Sequence, residues 1–269
     1  MAGLSSGTVG SMEQTVKVEG GEVWADDSGG EGLPLVLLHP GIADSRVWEP
    51  VLPGLTTRYR VIRYDARGFG KSPAPTGPYT QTGDLRRVLD HFGLDRAVLV
   101  GSSMGGKSVI DFALSDPERV AALGLLVPGV TGYPKLESPD LSAEIARLAQ
   151  AGDMDGLLAL SLRTFAAAGS APDARAAELV RDSFRGWFST YGHEQAEQPA
   201  FDRLSELRMP CVLLLGEQDT PRLVACNEAM AARIPGCRLV RVPESDHLPT
   251  LRAPGTVVRV INGLFERVG

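Results

Sequence analysis

The chain has 269 residues, long for one ordinary domain and short for two, and its 43% hydrophobic and 22% charged residues are the balance of a folded globular protein, which excludes a disordered one. A net charge of −6 spread along the chain without a Lys/Arg cluster argues against a nucleic-acid partner. No run of about 18 apolar residues is available to span a bilayer, and three dispersed cysteines, Cys211, Cys226 and Cys237, read as free thiols in a reducing cytoplasm.

Residues 1 to 11, MAGLSSGTVGS, lack the basic start and apolar centre of a secretory signal and read as a flexible leader ahead of Met12. Strand-like runs follow at TVKVEG, EVWADD and PLVLLHP, then a helix-like stretch from Val47 to Leu55 and a strand at YRVIRYD. In TGDLRRVLDHF, residues 82 to 92, Leu85, Val88, Leu89 and Phe92 fall at helical spacing. RAVLVG is again a strand, Met104 to Leu114 suits a helix, and AALGLLV is a strand. Between about Pro128 and Arg208 this rhythm stops, and some eighty residues read as helices broken by Gly and Pro. It resumes with PCVLLLG, the helical PRLVACNEAMAARI, CRLVRVP and a closing helix at TVVRVINGLFERV.

Near-continuous apolar strands alternating with helices imply an α/β fold with a mostly parallel central sheet and helices on both faces. An insertion after a strand sits above the carboxyl edge of such a sheet, where ligands bind, so the insert is a candidate lid. The expected organisation is a leader over 1–11, a core over 12–128 and 206–269, and a helical cap over 129–205.

The strand VLV runs straight into GSSMGGKS at residues 101 to 108. A tight strand-to-helix reversal forces its apical residue into strained angles, and only small neighbours two positions either side relieve the crowding. Gly101 and Gly105 stand at those positions around Ser103, which makes this a GxSxG nucleophile elbow presenting one hydroxyl at the start of a helix. A serine needs a base, and the base needs a third group to orient it. Of the four histidines, His39 ends a strand, His91 sits in an early helix and His193 lies in the insert, whereas His247 follows the last strand on the carboxyl-edge side. The acid belongs between serine and histidine in chain order, after a strand. Asp219 in LLLGEQDTP fits, Glu217 is the alternative, and Asp246 adjoins the histidine too closely to reach its far ring nitrogen.

HPG at 39–41, YDARGFGKS at 64–72, GSSMGG at 101–106, GEQD at 216–219 and SDHLP at 245–249, in this order and spacing, make the chain resemble the α/β-hydrolase superfamily with a compact helical cap over nearly all of residues 14 to 268. The resemblance implies an oxyanion hole from the backbone N–H groups of Met104 and of Gly41, with Ile42 as the alternative to Gly41 because HPG replaces the usual HG. It implies that His39 shapes that loop, and that Asp65 and Arg67 of the DxRGxGxS segment bond locally in a structural turn. That segment lacks the GxxxxGK[ST] of a phosphate loop.

The insert's Tyr133, Phe165, Phe184, Trp187, Phe188 and Tyr191 suit an apolar lid core with some members facing the serine; Ile42, Tyr133, Trp187 and Leu248 are the expected substrate contacts, while Lys107 is expected on the helix surface. The implied activity is hydrolysis of a small, fairly apolar ester or lactone. Carbon–carbon bond hydrolysis and cofactor-free perhydrolysis run on the same triad, and a ligand-binding or cyclase member with little hydrolysis is the alternative from another class. Relatives that use an aspartate nucleophile, and those carrying HGGPG and GGSWG, are excluded by the residues present. No metal or organic cofactor is expected, since no His, Cys or carboxylate cluster has ligand spacing. The expected partner is a small-molecule ester or lactone, with neither nucleic acid nor membrane.

Overall fold

A computed structural model describes residues 12–134, 136, 138–169 and 173–268; the expected leader lies outside them. Strands β1 (Met12–Val18), β2 (Gly21–Asp27), β3 (Leu35–Leu38), β4 (Val61–Tyr64), β5 (Ala97–Ser102), β6 (Val120–Leu126), β7 (Cys211–Gly216) and β8 (Arg238–Val242) form one sheet in the order β1-β2-β4-β3-β5-β6-β7-β8. β1 pairs with β2 and β2 with β4 antiparallel; from β4 to β8 every neighbour is parallel.

Strand residues alternate between two apolar cores because successive side chains point to opposite faces. Val36, Leu38, Leu99 and Leu213 face one side, with residues of α2 (Gln81–His91), α3 (Met104–Ser115) and α7 (Pro221–Arg233). Leu35, Leu37, Val98 and Leu214 face the other, with residues of α1 (Leu52–Leu55) and α9 (Pro254–Phe265). Burying both faces is why these strands read as unbroken apolar runs. The helix expected over Val47 to Leu55 is instead a 3-10 turn at Ser45–Trp48 followed by the single turn of α1. Pro50 and Pro53 remove two amide donors within that stretch and break it.

Between β6 and β7 the chain makes α4 (Pro139–Gln150), α5 (Met154–Phe165) and α6 (Ala174–Thr190), each with a capping side chain at its start: Ser138, Asp153 and Asp173. Leu148, Leu157, Leu179 and Val180 from these helices join the second core. The last turn of the insertion, Phe201–Glu206, sends Phe201 and Leu204 into the first core. The short α8 (Pro249–Arg252) precedes α9. Among the described residues no helix is long and apolar enough to cross a membrane.

The DxRGxGxS segment is a turn, as expected, but its bonds reach further than its own neighbourhood. The Asp65 carboxylate accepts from the amides of Ser45 and Lys71, while Arg67 makes a two-pronged pair with Asp84 of α2 and donates to the Glu19 carbonyl. Arg67 and Asp84 are both buried, so Arg67 pins the turn to α2 and to the β1–β2 turn at once.

One buried carboxylate on α3 is poorly served. Neither oxygen of Asp111 has a hydrogen-bond partner among the described residues, and the Lys107 ammonium stands 3.5 Å away. Burial pushes the Asp111 carboxyl up to about 6. A folded-state value above the unfolded one means that stability contributed at low pH is lost as pH rises from about 4 to about 6, reaching a cost on the order of 3 kcal/mol above that. Asp111→Asn is therefore expected to raise the melting temperature at pH 8 and to leave it nearly unchanged at pH 4, measured by thermal denaturation at both.

Candidate active site

Four loops converge at the carboxyl edge of the sheet, those following β3, β5, β7 and β8. At the β5–α3 junction Ser103 sits at φ 49°, ψ −108°, a left-handed conformation that a non-glycine residue adopts only under constraint. The constraint is visible in its neighbours. A methyl group on Gly101 would lie 2.2 Å from the Gly105 carbonyl oxygen, and one on Gly105 would lie 2.3 Å from the Leu38 carbonyl oxygen. Only glycine allows β3, β5 and α3 to approach this closely. The Ser103 amide is spent on the Leu126 carbonyl, which leaves the hydroxyl as the exposed group of the turn.

The Ser103 hydroxyl donates to His247 Nε2 at 2.7 Å, and His247 Nδ1–H donates to Asp219 Oδ2 at 2.6 Å. The carboxylate facing Nδ1 fixes the tautomer, leaving Nε2 free to accept. Asp219 and His247 are buried at 6% and 3% exposure, so these bonds are shielded from water. The other Asp219 oxygen accepts from the Thr220 amide at 2.7 Å. Glu217 points outward to Arg241 instead, and Asp246 is engaged with Arg252 and the amides of Ala168 and Leu248. The His247 backbone amide donates to the Phe165 carbonyl at the end of α5, and the two rings lie 5.3 Å apart.

Two amides flank the hydroxyl. Met104 N–H opens α3, and Gly41 lies so close to Met104 that a methyl group on it would come within 3.5 Å of the Met104 sulfur; neither amide donates to a partner among the described residues. The peptide carrying the Gly41 N–H is held through its carbonyl, on Pro40, which accepts from His39 Nδ1–H at 2.9 Å and from the Ala43 amide at 3.2 Å. Since a trans peptide points its N–H opposite to its C=O, these bonds aim the Gly41 N–H away from the loop interior. His39 Nε2 accepts from the Ala66 amide, so both ring nitrogens serve the loop and none is free for proton transfer. The next carbonyl, Gly41's own, accepts from the indole N–H of Trp187 on α6. His91 lies on the surface against Gln14, and the hydrogen bonds of His193 are backbone ones, its carbonyl accepting from the Tyr79 amide and its amide donating to the Thr190 carbonyl.

A cavity of about 670 Å³ reaches Ser103 and His247, walled by Ile42, Val130, Tyr133, Leu136, Ile145 and Trp187. A second of about 590 Å³ meets it at the same two residues and extends past Leu141, Thr164 and Leu223. Of the expected substrate contacts, Ile42, Tyr133 and Trp187 line the first cavity. Leu248 does not: at 1% exposure it is packed in the second core, because its amide is tied to Asp246 and turns the side chain away from the cavity. Lys107, expected on the helix surface, lines the cavity, with its ammonium 3.5 Å from both Asp111 and Glu194. Phe165 also lines it, Phe184 is core, and Phe188 and Tyr191 are exposed. A third cleft of about 680 Å³, beside Arg46, Lys71 and Arg185, is lined by ion-paired side chains and does not reach Ser103. No group of three or more metal-ligating side chains occurs among the described residues.

The chain is 32% identical over 213 residues, 72% of its length and 73% of the relative's, to a 2-hydroxy-6-oxononadienedioate/2-hydroxy-6-oxononatrienedioate hydrolase of Burkholderia vietnamiensis. Several other curated relatives are matched over less than half of their own length. Among solved structures, an N-acyl homoserine lactone degrading enzyme superposes with a TM-score of 0.80 at 26% identity, covering 93% of this chain and 99% of that one. The enol-lactonase of Burkholderia xenovorans superposes at 0.78 with 25% identity, covering 94% and 100%. Residues 35–260 match the alpha/beta hydrolase family, and with the sheet order and the strained serine at the β5–α3 junction already in place, the chain belongs to that family.

Proposed function

We propose that the chain is a serine hydrolase that cleaves an ester or lactone bond of a small, largely apolar substrate through Ser103, His247 and Asp219. The observation that carries the reading is the unbroken line of two short hydrogen bonds from Asp219 through His247 to the Ser103 hydroxyl. Ser103 Oγ attacks the carbonyl while its proton passes to His247 Nε2, and Asp219 stabilises the imidazolium that forms. The oxyanion is received by the Gly41 and Met104 amides, where losing one donor typically costs about a hundredfold or more in rate. His247 then protonates the leaving oxygen. In the second half the same imidazole deprotonates a water that releases the acyl group from Ser103.

The two cavities meeting at Ser103 suit a substrate with an apolar arm on each side of the scissile carbonyl, and their walls favour aliphatic or aromatic groups over charged ones. Two cations line this space: Lys107, whose charge is offset by Asp111 and Glu194, and Arg222 on the wall of the second cavity. The Burkholderia vietnamiensis relative supports carbon–carbon bond hydrolysis as the second reading, since it would use the same three residues.

Short-chain p-nitrophenyl esters are expected to be cleaved, a fluorophosphonate to label Ser103 covalently, and Ser103→Ala to lose at least about a thousandfold in kcat. Asp219→Asn is expected to lose about as much, whereas Glu217→Gln should keep activity. If folded protein neither takes the label nor turns over any ester, lactone or vinylogous diketone, the assignment passes to a ligand-binding or cyclase member. A label on Ser102 or Ser108 would contradict the nucleophile.

Trp187→Phe tests the oxyanion loop separately, because it keeps the ring in the cavity wall and removes only the bond to the Gly41 carbonyl. The expected result is a kcat about tenfold lower with KM for a short ester nearly unchanged. A raised KM with kcat intact would mean that Trp187 serves only as a wall.

A further inference from the structure

We propose that Cys211 and Cys237 form an oxidation site, in which a hydroperoxide converts Cys237 to a sulfenic acid and Cys211 then closes a reversible intramolecular disulfide. The proposal stands apart from the hydrolase reading and uses none of its residues. Cys211 is the first residue of β7, and Cys237 immediately precedes β8. The strands pair in parallel with Val212 opposite Arg238, so the two cysteines form the next cross-strand pair at the amino edge of the sheet. Neighbouring strands stand about 4.8 Å apart, inside the Cα separation of roughly 4.4–6.8 Å that a disulfide accepts. The sulfurs already lie 3.7 Å apart in a shared hydrogen bond. Closing the bond takes side-chain rotation and leaves the strands where they are.

Arg267 assembles the site. Its guanidinium donates to the Cys211 carbonyl at 2.8 Å and to the Gly236 carbonyl at 3.2 Å, clamping the two strand starts together and setting a positive charge beside the thiols. The thiols are not equivalent. Cys211 is fully buried and Cys237 only partly so. The hydrogen bond shared by the two sulfurs, with help from Arg267, holds Cys237 below the ordinary thiol range, while Cys211 is held above it. The accessible sulfur is thus the one that more readily becomes the thiolate nucleophile. Cys226, buried and with its thiol pushed up to about 12, serves as the unreactive reference within the same chain.

In the first step the Cys237 thiolate attacks the terminal oxygen of the hydroperoxide. The O–O bond breaks, an S–O bond forms, and the remaining oxygen leaves as alkoxide or hydroxide and takes up a proton. In the second, the Cys211 sulfur attacks the sulfenic sulfur, losing its proton, and the hydroxyl departs as water. Two electrons pass from the thiol pair to the peroxide. The resulting ring joins positions 26 apart in sequence and encloses Asp219 and α7, while the bond itself lies at the edge of the sheet opposite Ser103. Oxidation should therefore stiffen the segment that carries Asp219 without covering the cavity.

The test is intact-mass and peptide-mass spectrometry of the full chain before and after hydrogen peroxide, with and without dithiothreitol. The expected result is a loss of two hydrogens, a 211–237 cross-linked peptide, reversal by dithiothreitol and a rise of several degrees in melting temperature. Cys226→Ser should behave as wild type, and Cys237→Ser should lose no hydrogens. In Cys211→Ala, Cys237 should be trapped as a dimedone-reactive sulfenic acid. Wild-type protein that keeps all three thiols alkylatable after peroxide, or that links through Cys226 or between chains, would overturn the proposal, and this reading needs no variant to fold.

Discussion

Everything at the carboxyl edge of the sheet depends on one close approach, that of α3 to β3 and β5 across Gly101, Gly105 and Gly106. A side chain at any of the three would run into backbone or into Pro128 at under 3 Å, so the contact exists only because nothing projects from these positions. It forces Ser103 to φ 49° and sets the Met104 amide at the head of the helix. The Gly105 amide also donates to the His39 carbonyl, so the loop after β3 is pinned to the elbow itself. The Ser103 hydroxyl and the amides of Met104 and Gly41 are in this way parts of one rigid junction, which is the kind of preorganisation that the proposed stabilisation of an oxyanion would require.

Asp219 and His247 reach this junction by a second glycine contact of the same kind. Gly216, the last residue of β7, packs so tightly that a methyl group there would meet the Asp246 and Ser245 carbonyl oxygens at 2.4 and 2.6 Å. The amide of Gln218 donates to the Ser245 carbonyl and that of Glu217 to the Val242 carbonyl, zipping the two loops along each other. Asp219 and His247, 28 residues apart, are therefore brought to 2.6 Å by backbone bonds that do not involve either side chain. Asp246, beside the histidine, anchors the same loop to the insertion through Arg252, which also pairs with Asp173 at the start of α6.

What could be read from the sequence is what local chemistry dictates. The strand runs carry their burial in composition, and the elbow carries its strain in the spacing of its glycines. Asp219 and His247 are marked by their place after strands, which parallel topology converts into proximity. What could not be read depends on rotation of a side chain about a backbone that only tertiary contacts fix. Leu248 follows His247 and yet points into the core, since the bond from its amide to Asp246 sets its direction. Lys107 falls one turn beyond Ser103 on α3, and whether that face meets solvent or the cavity is decided by the insertion folding over it. Trp187 was legible as an aromatic of the insertion, but its bond to the Gly41 carbonyl spans 146 positions and left no local trace. In the stretch from Val47 to Leu55 the apolar pattern suggested a helix, and the prolines within it weighed more.

The insertion divides its labour in a way that follows from how it is attached. α6 is fastened to the core by polar bonds: Arg185 donates to the carbonyls of Gly68, Gly70 and Ser72, Arg46 pairs with Glu178 and Asp182, and Arg175 pairs with Glu49. Each exposed ion pair is worth little alone, but the Arg185 contacts capture three turn carbonyls with one rigid fork, and together they fix the register of α6 on the DxRGxGxS turn. Trp187 rides on this fastened helix, which is what its contact with the loop after β3 requires. α4 packs chiefly on α5 and supplies Leu141 and Ile145 to the cavity wall, while the end of α5 supplies Phe165. α4 thus contributes to the cavity wall without touching the loop after β3, whereas α6 both contributes Trp187 to the wall and holds that loop through it. Substitutions on α4 can alter the shape of the cavity without disturbing the peptides at Gly41, because no bond of the elbow or of the loop after β3 passes through that helix.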